Sequence, residues 1–503
     1  MATVHLTAEG RAVRLSVPES ALLSEILRDR GQAPAMPCAG RGRCGKCRVT
    51  ASGALSAPSP AERAHLTREE LDRGVRLACC TRVEGDCRVA LSSAAHSQIC
   101  LEGVMDAVTL RPRFRAFGAA VDIGTTTLAA SLYGPGGGLL AQASRANPQS
   151  AWGADVISRI EAALKGQGPA LAACVRGAVD GLLEEMAAQA GISPGGIDAL
   201  VITGNTAMLH FLTETSPEPL SHAPFAAERL FGEVLSASSL GLSACPAAEA
   251  LLPRCMSAFV GADITTALLA SGICGREGTR ILVDIGTNGE MALRHNEALL
   301  CCSTAAGPAF EGAGLSMGMG GQAGAVDHVS LRGGALAPHV IGGGAPRGIC
   351  GSGVIDALAC LLETEDLDET GLLQADPAVI APPVSLTQRD VRMVQPAKSA
   401  ISAGLQTLLH TASLACSDVA ELAAAGGFGS YLDAGSAGRI GLLPRELVPK
   451  VRVLGNAALG GGAMLLLDRC LAPACEALAR SARTLELSAN PVFTRYYTEG
   501  MFF

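Results

Sequence analysis

Two apolar runs in this 503-residue chain end on the same four residues, Asp-Ile-Gly-Thr: AAVDIGTTTLAASLYG at 119–134 and ILVDIGTNGEMAL at 281–293. An apolar run, a glycine turn and a second apolar run read as strand, turn and strand. Repetition of the unit implies a duplicated architecture. Ala-rich stretches with apolar positions near helical spacing, ALAACVRGAVDGLLEEMAAQAG and SAISAGLQTLLHTASLAC, lie between and after the two copies. Strands alternating with helices imply an α/β core.

The turns suit phosphate. In the first copy the strand delivers Asp122 to its end and Gly124 allows the turn. Thr125, Thr126 and Thr127 then offer hydroxyls and backbone donors to phosphate oxygens, with Asp122 facing a magnesium ion through water. The second copy places Asp284, Gly286, Thr287 and Asn288 in the corresponding roles. Two such hairpins grip a triphosphate from opposite sides, and closing the cleft couples nucleotide state to domain angle. A lone Asp-x-Gly-Thr is also an ordinary turn sequence. A third element, LAAAGGFGSYLD, strengthens the ATP reading: Gly426 and Gly427, followed by Phe428, permit a flat adenine ring to approach backbone closely. Asp122 and Asp284 are the expected organisers of Mg2+ and the attacking water. Glu290 is an alternative acid or base, its other reading being a solvated strand residue.

Residues 1–95 differ in character. VHLTAEG and AVRLSVPES alternate as a hairpin, and ALLSEILRDRG reads as a helix ending at Gly31, the start of a small β-grasp. Cys38, Cys44 and Cys47 follow in CAGRGRCGKCRV, and Cys79 in RLACCT gives C-x5-C-x2-C plus a distant fourth thiol. Four thiolates suit a 2Fe-2S cluster, and Gly40, Gly42 and Gly45 let the loop wrap it and aim N–H groups at sulfur. Plant-type spacing has four residues in the first gap; the five here resemble other 2Fe-2S ferredoxin subgroups. Structural zinc is the alternative, but zinc usually takes paired C-x2-C knuckles and only one such pair exists. Cys80 could replace Cys79, and Cys87 is a weaker rival. Residues 40–46 also match G-x4-G-K, yet Cys47 stands where a phosphate loop needs Ser or Thr for magnesium.

The irregular, basic stretch around LRPRFRAF separates the two regions. The expected organisation is a ferredoxin-like domain at 1–95, a linker at 96–116, and ATPase subdomains at 117–280 and 281–503. The net charge of −8 comes without a block of one sign, so no nucleic-acid groove is expected. No apolar run is long enough to span a bilayer and the N-terminus has no signal pattern, so no membrane partner and a cytoplasmic address are expected, with most of the 18 cysteines reduced.

With these parts in order, the C-terminal 385 or so residues resemble the acetate and sugar kinase, heat-shock chaperone and actin superfamily. NPQSAWGADVISRI, GNTAMLH, SAFVGADITTALLA, CSTAAGPAFEGAG, GICGSGVIDAL, AGGFGSYLD and GLLP, behind a ferredoxin domain, make nearly the whole chain similar to the reductive activators of corrinoid-dependent enzymes. The resemblance implies an α+β β-grasp domain before a duplicated ribonuclease-H-like ATPase core. It also implies one-electron reduction of a Co(II) corrinoid protein to Co(I) with ATP bound and hydrolysed. The implied partners are a methyltransferase corrinoid protein and, as electron donor, reduced ferredoxin or flavodoxin; a second copy of the chain is left open. A hydroxyl of the CSTAAGPAFEG loop would approach the cobalt, and Ser303 is the matching position, its other reading being a turn hydroxyl. Longer members carry an extra domain after the ferredoxin, which this chain lacks. His210 could ligate cobalt but reads more readily as a structural hydrogen-bonder, and Cys350, Cys301 and Cys302 as buried thiols. Rival functions are an ATP-driven activator of another low-potential enzyme and a metabolite kinase with a redox-sensing 2Fe-2S domain.

Overall fold

The computed structural model describes residues 1–8, 11–30, 32–91, 103–105, 107–312, 314–429 and 431–503, with backbone alone at Arg11 and Phe428. Two compact units emerge: Met1–His96 with Asn147–Val175, and Ser97–Ala146 with Arg176–Phe503.

In the first unit, β1 (Ala2–Ala8) buries every second residue and pairs antiparallel with β2 (Arg11–Val17), Val4 opposite Leu15. A helix, Leu23–Arg28, buries Leu23, Ile26 and Leu27 at the i, i+3, i+4 spacing of an amphipathic turn. With β3 (Arg48–Leu55), β4 (Val75–Leu77) and β5 (Val83–Ala90), the sheet order is β2-β1-β5-β3-β4, β5 running parallel to β1. This is the mixed sheet of a β-grasp. Cys38, Cys44 and Cys47 lie on the loop entering β3, and Cys79 just beyond β4.

One buried carboxylate fastens this region. Glu62 caps its own helix, Pro60–His65, by exchanging hydrogen bonds with Ser59. It also accepts from Arg76 at 2.8 Å, from the Leu77 N–H at 3.1 Å and from Thr81 Oγ1 at 3.1 Å, so it is tied on both sides of Cys79 and Cys80. Burial raises its pKa, but Arg76 and the backbone donors outweigh that and hold the carboxyl down at about 2.

The segment Asn147–Val175 packs within the same unit, although it leaves and re-enters the chain of the second. The Met36 N–H donates to the Ser150 carbonyl at 3.0 Å, and Arg41 pairs with Glu161 at 2.8 Å. The Arg28 guanidinium lies 5.4 Å from the Trp152 ring centroid.

The second unit repeats one plan. Its first sheet contains β6 (Phe117–Ile123), β7 (Thr127–Tyr133), β8 (Leu139–Ala146), β9 (Ile197–Gly204), β10 (Glu233–Ser236) and β11 (Glu249–Leu252), in the order β10-β11-β9-β6-β7-β8. Its second contains β12 (Thr279–Ile285), β13 (Gly289–His295) and β14 (Ala298–Thr304). A small sheet, β15 (Ala325–Arg332), β16 (Ala335–Val340) and β17 (Gly348–Ile349), and a hairpin, β18 (Ala378–Ala381) and β19 (Val384–Leu386), follow in the chain. β20 (Val419–Ala425), β21 (Val451–Gly455) and β22 (Ala482–Thr484) complete the second sheet, in the order β21-β20-β12-β13-β14-β22. In both sheets three strands meander antiparallel and two more run parallel beside the first: β11-β9-β6-β7-β8 matches β21-β20-β12-β13-β14. The duplication read from Asp-Ile-Gly-Thr is therefore a duplicated ribonuclease-H-like core.

The Ala-rich stretches are helices, Gly168–Ala190 and Gln388–Thr411. Helices Ala262–Ser271 and Ala457–Leu467 pack against each other, the first on the β12 sheet and the second on the β6 sheet. Their approach is so close that a Cβ on Gly461 would fall 1.9 Å from the Thr266 carbonyl. Among the described residues no helix is long and apolar enough to cross a membrane.

Candidate functional site

The expected cluster thiols stand in two pairs. Cys38 and Cys44 place their sulfurs 3.4 Å apart, and Cys47 and Cys79 place theirs 3.3 Å apart. Cys80 Sγ lies 3.6 Å from Cys79, while Cys87 sits on β5 opposite Val4, with its thiol pKa pushed up by burial. The Cys38 thiol is drawn down to about 4 by the hydrogen bond from Cys44 and, against its burial, by the N–H groups of Arg43, Cys44 and Arg41; Cys44 moves upward as the donor. In the second pair the sulfur–sulfur contact lowers Cys47 and raises Cys79.

This donor set matches two metal ions taking two thiolates each. The glycines act as expected: Gly42 has φ +68° and a Cβ there would come 3.2 Å from Cys80 Sγ, and Gly45 has φ +64° with His65 Cβ 2.8 Å away.

In the second unit a cavity of about 290 Å³ opens over the ends of β6 and β12. Both Asp-Ile-Gly-Thr turns line it: Asp122, Gly124, Thr125, Thr126 and Thr127 from one, Asp284, Gly286, Thr287 and Asn288 from the other. Gly124 closes its turn with an N–H to the Thr127 carbonyl at 2.9 Å, and a Cβ would meet that oxygen at 2.7 Å. Gly286 donates likewise to Asn288 at 3.0 Å.

The floor is acidic. Asp122, Asp263, Asp284 and Glu290 all line the cavity from within the protein. Burial pushes Asp122 up to about 7, with Asp284 adding to the effect and a 3.1 Å bond from Asn456 opposing it. Burial and then Glu311 push Asp284 up to about 6. Asp263 and Glu290 are raised further, by burial and then by neighbouring carboxylates. Hard oxygen donors of this kind suit a cation that keeps its waters and binds chiefly through phosphate, which is the preference of Mg2+.

Several of these residues were missed or misread from sequence. Glu290 is 7% exposed and accepts from Asn205 at 3.1 Å, so its solvated reading is wrong; β13 turns it inward. Asn205 caps helix Thr206–Thr213, Asp263 lies in the first turn of Ala262–Ser271, and Asn456 caps Ala457–Leu467. Asn205 and Asn456 sit where a strand hands over to a helix, and Asp263 at the start of a helix that follows a loop, all at the cavity edge, positions that Asn-Thr, Gly-Asn and Gly-Ala-Asp strings could have signalled. Glu311, in the PAFEG string, reaches both Asp-Ile-Gly-Thr turns, accepting from Thr126 and Thr287.

Gly426 has a role not read from sequence. At φ +91°, a Cβ there would lie 2.4 Å from Asp284 Oδ1, so the glycine makes room for the second aspartate. Gly427 lines the cavity with open space where a Cβ would be, and Tyr431 stands beside it; the side chain of Phe428 lies outside what is described. Ser303 is not among the cavity residues; it is part-exposed on β14 opposite Glu290. His210 is fully buried, its ring nitrogens 3.1 and 3.0 Å from the Ser216 and Arg229 carbonyls, which makes it structural. Cys301 and Cys302 are core thiols, whereas buried Cys350 also lines the cavity.

Comparison with known proteins matches three stretches of the chain. Residues 278–503 match the C-terminal domain of RACo, the ASKHA domain; residues 117–276 match the RACo middle region; residues 6–84 match the 2Fe-2S iron-sulfur cluster binding domain. The chain is 36% identical over 421 residues to corrinoid activation enzyme RamQ of Eubacterium limosum, covering 77% of this chain and 70% of the relative. It is 26% identical over 348 residues to the [Co(II) methylated amine-specific corrinoid protein] reductase of Methanosarcina barkeri, covering 61% of this chain and 64% of that one. The solved structure of a reductive activator for corrinoid, iron-sulfur protein superposes with a TM-score of 0.72 at 26% identity, over 100% of this chain and 98% of that one.

Proposed function

The chain belongs to the family of reductive activators of corrinoid proteins, and we propose that it returns an inactive Co(II) corrinoid protein to Co(I) at the expense of ATP. The observation that carries the reading is the presence, in one chain, of two thiol pairs suited to a 2Fe-2S cluster and a carboxylate-floored cavity between two phosphate-binding turns. Membership of this family sets the metabolite kinase aside.

The cluster, when bound, supplies a single electron at low potential. Cys38 and Cys44 would hold one iron and Cys47 and Cys79 the other, their backbone N–H donors stabilising the thiolates. Thr125, Thr126, Thr127, Thr287 and Asn288 would take the phosphates, with Gly427 and Tyr431 beside the adenine. Asp122 and Asp284 would hold Mg2+ through water and orient the attacking water. Their raised pKa values mean that a dication there displaces protons before it binds well.

ATP binding and hydrolysis can drive an unfavourable reduction only by favouring one state of the complex over another. Two turns on two sheets, joined by the packed helices Ala262–Ser271 and Ala457–Leu467, give the nucleotide a cleft to close. The partner is a corrinoid protein of a methyltransferase system, of O-demethylase or methylamine type, and a reduced ferredoxin or flavodoxin would resupply the electron.

The test is to mix reduced, cluster-loaded protein anaerobically with MgATP and Co(II) corrinoid proteins of methyltransferase systems, following the Co(I) absorption band. Growth of the band only with ATP is expected. No band with any such partner, despite an intact cluster, would overturn the reading.

A further inference from the structure

Residues 1–96 contain 14 Lys and Arg against 10 Asp and Glu, a formal +4, in a chain of −8; the other 407 residues therefore carry −12. The positive charge concentrates at the cysteine loop. No acidic residue occurs between Asp29 and Glu62, while Arg41, Arg43, Lys46 and Arg48 fall within that stretch. A bound 2Fe-2S cluster with four thiolates adds about −2 when oxidised, leaving residues 1–96 net positive.

Part of this charge is answered locally. Arg41 pairs with Glu161 and Arg48 with Glu70. Arg43 is exposed and, among the described residues, forms no ion pair or side-chain hydrogen bond. Arg63 is exposed too, on the helix whose Ala61 would contact a Cβ at Gly42, and its guanidinium donates only to the Pro58 carbonyl. The thiols are graded in depth: Cys47 and Cys79 are 1% and 9% exposed, whereas Cys38 and Cys44 are only half-buried. Arg41 and Arg43 stand on the loop between the two outer cysteines, so the least covered edge of the site also carries Arg43, an exposed cation with no ion pair among the described residues.

We propose that this face docks the electron donor, and that the donor is a low-potential one-electron carrier protein with an acidic surface around its own redox centre. The proposal rests on the activator reading in one respect, that the cluster must be refilled from outside. One electron leaves the reduced carrier and enters the cluster; no bond is made or broken. Arg43 and Arg63 act by steering the encounter, where complementary charge raises association rates and salt lowers them.

The test uses the full cluster-loaded chain. Stopped-flow absorbance follows cluster reduction by a pre-reduced acidic ferredoxin and, separately, by a small uncharged reductant, across ionic strength. With the ferredoxin, the wild-type rate should fall about tenfold between roughly 0.02 and 0.5 M salt. Arg43→Glu combined with Arg63→Glu should lower the low-salt rate about tenfold and flatten the salt dependence, leaving the rate with the small reductant and the cluster's midpoint potential unchanged. If the double variant loses its cluster, Arg43→Gln and Arg63→Gln, each expected to slow the reaction about threefold, replace it. A wild-type rate indifferent to salt overturns the proposal. So does a variant whose potential shifts while its salt dependence persists, because the arginines then only offset cluster charge. Failure of chemically reduced wild type to generate Co(I) would sink the activator reading while leaving these donor kinetics standing.

Discussion

Thr126 and Thr287, one from each Asp-Ile-Gly-Thr turn, hold their hydroxyl oxygens 3.2 Å apart and both donate to Oε2 of Glu311 at 2.8 Å. Each hydroxyl has one proton to give, so both of the hydroxyls proposed to take phosphate are committed to one carboxylate of the protein itself. A phosphate taking those two hydroxyls would displace that carboxylate.

Replacing the carboxylate should therefore help nucleotide enter. Glu311→Gln removes a negative charge from the phosphate path and one of the causes that raise the Asp284 pKa. MgATP should bind about tenfold more tightly, near 1.4 kcal/mol, by calorimetry. Thr287→Val, which deletes a donor to a charged ligand, should weaken binding by about 1.5–3 kcal/mol. Weaker binding by Glu311→Gln would mean that Glu311 helps to hold the cation.

The acidic floor makes stability and affinity depend on pH in opposite ways. Asp122 and Asp284 have folded pKa values of about 7 and about 6, above the ~3.9 of an unfolded aspartate. The folded protein thus binds more protons than the unfolded chain between those limits, and stability falls as pH rises from about 4 to about 7. Melting of the nucleotide-free protein at stepped pH should show this decline, and Asp122→Asn should flatten it. Mg-nucleotide affinity should rise over the same interval, because the cation competes with those protons. A melting temperature that climbs from pH 5 to 7.5 would contradict the arrangement.

What was legible in the sequence was what local chemistry encodes. The repeated Asp-Ile-Gly-Thr announced the two turns because each needs its glycine and its hydroxyls within a few residues, and the cysteine spacing announced the loop. Glu290 was half read, since strand alternation gives two faces and does not say which is inside. Asp263, Asn205 and Asn456 come together from three separate helix starts, a convergence created by long-range strand pairing such as β6 with β9, which places Asn205, and β20 with β21, which places Asn456. Packing of Asn147–Val175 in the unit of the cysteine loop is likewise a long-range fact, carried by contacts such as Met36 with Ser150 that no local pattern marks.

The choice among neighbouring cysteines has a direct readout. Cys44→Ala and Cys79→Ala each break one sulfur pair and should abolish the 2Fe-2S absorption and electron paramagnetic resonance signals. Cys87→Ala, on the sheet interior, should keep both. Cys80→Ala should also keep them, its sulfur standing outside the two pairs, 3.6 Å from Cys79 Sγ. Retention of a full cluster in Cys79→Ala but not in Cys80→Ala would exchange their roles.

Glu62 offers a test of how the cluster region is held. Glu62→Gln leaves the Arg76 guanidinium, 7% exposed as a residue, without its charge partner. Breaking a buried pair from one side costs about 3–5 kcal/mol. The first unit should melt earlier and shed its cluster on mild heating, read by loss of visible absorption. Because the carboxyl is held at about 2, its contribution is present above the unfolded pKa near 4.3 and fades as pH falls toward 2. Cluster loss on acidification should accordingly begin at higher pH in the variant.

Gly461 tests whether the two sheets work through the helices between them. Its Cβ would strike the Thr266 carbonyl backbone at 1.9 Å, a contact that no side-chain rotation relieves. Gly461→Ala must push Ala457–Leu467 away from Ala262–Ser271. The first of these helices starts at Asn456, bonded to Asp122, and the second carries Asp263, so the displacement reaches the cavity floor. Overpacking of this kind costs about 1–3 kcal/mol, and the expected outcome is a lower melting temperature with a larger loss of ATP hydrolysis than of ATP binding. Gly462→Ala is the matched control, since its Cβ would meet nothing closer than Ala120 at 3.7 Å. Equal losses in the two variants would deny the helix crossing any special part in nucleotide turnover.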